Sequence, residues 1–84
     1  MDIKEITLEI LKPSDFQAID LMSALERVKG VRKIEISLVD FERHTDTLKL
    51  GISGDSLDFA KIEEVVSKAG GVIQAIQHIV GENV

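Results

Sequence analysis

Four stretches in which apolar residues alternate with polar ones are separated by two stretches in which they recur at helical spacing, and this order admits few folds. In the first alternation Ile6, Leu8 and Ile10 stand against Thr7 and Glu9, the period of a strand with one buried face. Lys12-Pro13 closes it, because proline has no N–H to give to a ladder. Ser14 and Gln17 then read as a capping box that opens a helix. Along that helix Phe16, Ile19, Met22, Leu25 and Val28 step by three and form the expected inner face. Gly30 is the expected stop, since glycine enters the left-handed region at little cost.

A second alternation sets Ile34, Ile36 and Leu38 against Glu35, Ser37 and Val39, and a third sets Leu48, Leu50 and Ile52 against Thr47, Lys49 and Gly51. The polar run from Glu42 to Asp46 between them has the length of a hairpin loop. After Ser53-Gly54-Asp55-Ser56, which is turn chemistry, Asp58 is placed to cap a second helix. Phe59, Ile62, Val65, Val66 and Ala69 point inward along it, and Gly70-Gly71 closes it. Leu57 and Ile62 are spaced as a hydrophobic staple across the cap. The last strand, Val72 to Val80, alternates irregularly, so the pattern does not say which face it buries.

Two interleaved β-α-β units in one sheet define an α+β, ferredoxin-like βαββαβ two-layer sandwich. Its antiparallel sheet has the expected order 4-1-3-2, with both helices on one face and the other face open. The 84 residues make one domain, 1–84, with no room for a second. The only aromatic residues are three Phe, so the core is aliphatic.

On the uncovered face the alternation places Thr7, Glu9, Leu11, Glu35, Ser37, Val39, Phe41, Lys49 and Gly51. The third strand lies between the first two, which puts Lys49 near both Glu9 and Glu35 as a charge ladder. Leu11, Val39 and Phe41 are expected toward one end of this face, an apolar cluster of the kind that marks a contact surface. Gly51 in mid-strand suits either the close approach of another backbone or a bulge. These seven positions (Leu11, Val39, Phe41, Glu9, Glu35, Lys49 and Gly51) are the expected subunit interface.

A net charge of −5, with ten Lys and Arg scattered among fifteen acids, argues against binding to the phosphate backbone of nucleic acid. The absence of cysteine rules out disulfides and thiolate metal sites. No apolar run approaches the roughly 20 residues of a membrane span, and the first residues lack the apolar stretch of a signal peptide. The expected location is the cytoplasm. The acidic hairpin residues Asp40, Glu42 and Asp46 are hard oxygen ligands suited to a divalent cation. Gly54-Asp55-Ser56 offers backbone N–H groups to an anion, although Asp55 and Asp58 would repel it. His44 and His78 have no ligand spacing to each other. No serine has an adjacent base or nucleophile-elbow glycines.

The segments Glu9-Ile10-Leu11-Lys12-Pro13, Gly30-Val31-Arg32-Lys33-Ile34-Glu35-Ile36-Ser37-Leu38-Val39, Ile52 to Phe59 and Ala69 to Ile73 resemble an uncharacterised archaeal family, domain of unknown function 211. The resemblance runs over nearly the whole chain. It implies a ferredoxin-like fold and closed homo-oligomers in the form of rings, with no reaction and no catalytic residues to carry over. Calcium at the acidic hairpin is consistent with it. The layout is also similar to that of heavy-metal-associated domains, but those place Cys-x-x-Cys where this chain has Lys12-Pro13-Ser14-Asp15-Phe16. It is similar again to regulatory domains that bind small molecules between paired copies. The expected function is therefore a non-enzymatic self-assembling module, and the alternative is a small-molecule sensor with its effector at a subunit interface.

Overall fold

A computed structural model describes residues 1–14 and 17–83. Its elements run β1 (Asp2–Pro13), α1 (Ala18–Leu25), β2 (Val31–Glu42), β3 (Thr45–Gly54), α2 (Phe59–Lys68) and β4 (Val72–Glu82). The four strands lie in the order β2-β3-β1-β4 with every neighbouring pair antiparallel. This is the expected ferredoxin-like α+β topology.

The centre of the sheet's inner face is built of three wholly apolar rungs. Ile34, Ile52, Ile6 and Ile79 stand side by side across all four strands; the next two rungs are Ile36-Leu50-Leu8-Ile76 and Leu38-Leu48-Ile10-Ile73. The middle strands contribute the fully buried members, with Leu8, Ile10 and Leu50 wholly inaccessible. Leu21 and Leu25 of α1 and Ile62 and Val66 of α2 close over them in the same cluster.

β4 reads irregularly because it carries two extra residues. Thr7 and Leu8 pair with His78 and Ile76, and Glu9 and Ile10 pair with Ala75 and Ile73, which leaves Gln77 and Gln74 as bulge residues. Each bulge resets the alternation. Three isoleucines spaced by three, Ile73, Ile76 and Ile79, therefore face the helix side opposite Ile10, Leu8 and Ile6, which are spaced by two.

α1 is shorter than its apolar spacing implies. It starts at Ala18 with Gln17 in the N-cap position and no side-chain cap. Ser14 instead donates its hydroxyl to Asp46 Oδ1 at 3.0 Å, so the expected capping box is not formed. The buried face is also different. Steps of three fall about 60° short of a full turn each, so a three-spaced row spirals off the buried side. Leu21 and Leu25, four apart, are the residues that α1 buries, while Ile19 is 71% exposed. Phe16 lies outside the described residues. Beyond Leu25 the chain continues in tight turns (Val28 N–H to Leu25 O, 3.0 Å; Val31 N–H to Val28 O, 3.2 Å).

α2 follows its pattern closely. Asp58 accepts a hydrogen bond from the Lys61 N–H at 3.3 Å, and Leu57 and Ile62 are both buried on either side of the cap. At its end Gly70, with φ +85°, donates to Ser67 O at 3.0 Å and Gly71 donates to Val66 O at 2.9 Å. This pair of bonds is a Schellman motif, which satisfies carbonyls the helix leaves open.

Candidate functional site

The centre of the uncovered side carries the residues that the alternation places there. Glu9 and Ser37 flank Lys49 directly, and Thr7 and Glu35 flank Gly51. Glu35 is thus one rung away from Lys49, and the charges pair otherwise. Lys33 meets Glu35 at 3.0 Å, Gln77 donates to Glu9 at 3.1 Å, and among the described residues Lys49 makes no ion pair. No bulge occurs at Gly51, and a Cβ there would sit 3.9 Å from its nearest neighbours, atoms of Glu35. The missing side chain leaves a shallow depression of about 130 Å³ between Thr7, Glu35 and Ser53.

The apolar end of this face is not assembled as the alternation implies. β2 carries an extra residue at Val39, between Leu38, which pairs with Leu48, and Asp40, which pairs with Thr47. Past the bulge the faces exchange. Asp40 joins the rung Asp40-Thr47-Leu11-Val72 on the open side, and Phe41 pairs with Asp46 on the helix side. Leu11, Val39 and Phe41 therefore do not form one cluster on the open face. Leu11 is half-buried there, with Val72 as its apolar neighbour.

The same bulge separates the three hairpin carboxylates. Asp40 and Glu42 lie opposite Thr47 and Thr45 on the open side, whereas Asp46 lies opposite Lys12 on the helix side. Asp46 is already engaged: Lys12 Nζ is 3.2 Å from its Oδ2, and the same ammonium donates to Pro13 O at 2.9 Å. Lys12 is 4% exposed, the one buried charged residue among those described. Among the described residues no three acids or histidines gather where they would hold a metal ion. Asp40, Glu42 and Asp46, expected together at the hairpin, thus lie on two different sides of the sheet.

The pairing of Lys12 with Asp46 is not among the expected contacts, yet the pattern contains it. Lys12 continues the inward phase of Ile6, Leu8 and Ile10, and Asp46 continues that of Ile52, Leu50 and Leu48. A charge in the inward phase of a strand is expected to meet its opposite.

A second charge cluster ties the opposite end. Lys4 Nζ lies 2.9 Å from Asp2 and 2.6 Å from Asp55, and Arg32 Nε lies 2.9 Å from the second oxygen of Asp55. Hydrogen bonds from Lys4 hold both carboxyls below their usual range, aided at Asp2 by the backbone of Ser56 and at Asp55 by the charge of Arg32. Bonds to Asp55 and Asp2 in turn raise the Lys4 pKa. The Ser56 N–H donates to Asp2, so the loop amide that the sequence offers to an anion is taken by the chain's own carboxylate. His78 lies on the open side of β4 opposite Thr7, and His44 sits in the hairpin turn, where its carbonyl accepts from the Ser14 N–H at 2.9 Å.

The remaining feature is the distribution of exposed apolar side chains. Among the described residues, apart from Met1 and Ile19, the large ones are Leu38, Val39, Phe41, Val72, Ile76 and Ile79, each 49–70% exposed. All six lie on the two edge strands: three on β2 and three on β4. No Asp, Glu, Lys, Arg or Pro interrupts β4 from Val72 to Gly81, although such residues are the usual guards of an open sheet edge. Among the described residues no helix is long and apolar enough to cross a membrane.

Fold and edges together define a ferredoxin-like domain in which, among the described residues, most of the exposed large apolar side chains lie along the sheet edges. The chain belongs to the DUF211 family, described as uncharacterized ArCR, whose model matches residues 4–84. It is 31% identical over 78 residues to the uncharacterized protein MJ0319 of Methanocaldococcus jannaschii, a match that covers 93% of this chain and 80% of that relative.

Proposed function

We propose that this chain is a non-enzymatic module that acts by assembling with copies of itself, edge to edge. The observation that carries the reading is the concentration of six exposed apolar side chains on β2 and β4. Strand direction alternates across the four-stranded sheet, so β2 of one copy meets β4 of another antiparallel with both copies facing the same way. The rungs already match in composition. Ile34, Ile36 and Leu38 on one edge stand level with Ile79, Ile76 and Ile73 on the other, and joining them extends three apolar rows from subunit to subunit. A contact between two different edges is heterologous and closes as a ring when the rotation per subunit allows it. The bulges at Val39, Gln74 and Gln77 twist both edges, which favours a curved array over a flat one.

Light scattering after size exclusion tests this at micromolar protein and physiological salt. The expected mass is several times the 9.3 kDa of one chain. A monomeric mass refutes the proposal. Ile76→Asp on β4 and Leu38→Asp on β2 each replace a half-exposed apolar side chain, and each is expected to stop growth beyond small species. Mixing the two variants is expected to recover a dimer through the one undamaged pair of edges. If both variants keep the wild-type mass, the interface lies elsewhere.

A further inference from the structure

A concavity of about 770 Å³ lies away from the sheet edges, between the carboxyl end of α1 and the amino half of α2. Sites for small ligands usually occupy about 300–1,000 Å³, with an apolar lining and a few placed polar groups. Here Ala24, Val28 and Val65 supply the apolar wall, and Arg27, Lys29 and Lys61 supply cations from both sides of the groove.

The charge of this groove departs from that of the chain, which is −5 overall. Two acids, Asp58 and Glu64, also line it, but both are committed within the fold. The Asp58 carboxylate caps α2 through the Lys61 N–H at 3.3 Å. Glu64 is held by Lys68 at 3.2 Å and lies 3.8 Å from Lys61. Arg27 and Lys29, by contrast, make no ion pair among the described residues. Three cations against these two acids leave the groove a net charge of +1 beside an apolar wall, and Arg27 and Lys29 are the two whose charge no ion pair among the described residues takes up.

We infer that this groove binds a small anion with an apolar body, a carboxylate or phosphate monoester, its head group between Arg27, Lys29 and Lys61 and its body against Ala24, Val28 and Val65. Such a ligand gains both from apolar burial and from charge-assisted hydrogen bonds. Neither part alone meets the whole site.

Titration of the full chain, followed by backbone amide shifts, tests the inference with four probes: phenyl phosphate, hexanoate, inorganic phosphate and hexanol. Saturable shifts centred on Ala24, Val28 and Val65 are expected with phenyl phosphate, hexanoate or both, and the stronger of the two identifies the head group. Binding of phosphate and of hexanol is expected to be at least tenfold weaker. The double variant Arg27→Gln/Lys29→Gln is expected to weaken the best probe at least tenfold, and Lys49→Gln on the open face to leave it unchanged. Absence of saturable shifts with both amphipathic anions, shifts centred elsewhere, or a double variant that binds as the wild type would each overturn the assignment. The variants' melting curves establish that the fold is retained, and the outcome is independent of whether the edges assemble.

Discussion

Lys12 Nζ lies 3.2 Å from Asp46 Oδ2, at strand positions directly opposite each other, and the lysine side chain is 3% exposed. The pair joins β1 to β3 next to the hairpin, with the Ser14 hydroxyl adding a bond to the second oxygen of Asp46 at 3.0 Å. Removing one charge from a buried pair costs more than replacing both by apolar groups, because the survivor stays desolvated and loses that partner's attraction. Asp46→Asn is therefore expected to destabilise the fold by about 2 kcal/mol. The double variant Lys12→Met/Asp46→Asn is expected to be more stable than Asp46→Asn alone. Urea unfolding of the two variants checks the order.

The cluster around Lys4 sets an acid limit. Asp2 and Asp55 both titrate below their ordinary value of 3.8 in the folded chain. A carboxylate with a lowered folded pKa contributes stability above its unfolded pKa and loses that contribution as pH falls through the folded one. Lys4, whose pKa is raised from 10.5, has the opposite sign, and its contribution is complete below that value. The melting-temperature gap between wild type and Lys4→Met is therefore expected to be widest between pH 5 and 9, and to close progressively below about pH 4. A gap that stays constant down to pH 2 would remove the cluster from the account.

Three glycines separate necessity from tolerance. Gly30 has φ +91°, and a Cβ on it would lie 2.1 Å from Asp55 O; one on Gly54 would lie 1.9 Å from Gly30 O. Both neighbours are backbone atoms at the crossing of two loops, which the Asp55 N–H to Gly30 O bond of 2.9 Å holds together. Gly30→Ala and Gly54→Ala are each expected to cost at least about 1–2 kcal/mol. Gly51→Ala meets only ordinary contacts at 3.9 Å, and is expected to stabilise the strand by about 0.5 kcal/mol. Thermal unfolding of the three variants discriminates.

The phase of α1 is equally open to measurement. Leu21 is 1% exposed and Ile19 is 71% exposed. Leu21→Ala is expected to cost about 2–4 kcal/mol through lost burial and the cavity left behind. Ile19→Ser is expected to stay within about 0.5 kcal/mol of wild type. Equal losses for the two would mean that the helix is rotated about its axis.

Much of the site is written in strand phase, and the misplaced parts share one cause. The run of Ile34, Ile36 and Leu38 places β2 correctly up to Leu38, and α2 follows its cap, staple and glycine stop without deviation. Continuing that alternation puts Phe41 on the open face, and the extra residue at Val39 reverses the assignment. The row Ile73, Ile76 and Ile79 was unreadable for the same reason. A bulge is a property of two strands counted against each other, and one strand's sequence holds only half of that count.

The order of elements, the inward phase of three strands and the caps of α2 follow from the chain alone, because each rests on contacts between residues near in sequence or on a two-residue period. The burial of Lys12 against Asp46, the occupation of the Ser56 amide by Asp2 and the separation of the hairpin carboxylates were decided by tertiary structure, since each depends on which residue of a distant strand or loop arrives opposite. The exposed rows on β2 and β4 were decided there too. An apolar side chain is buried or bare according to whether its strand lies inside the sheet or at its edge, and pairing sets that place.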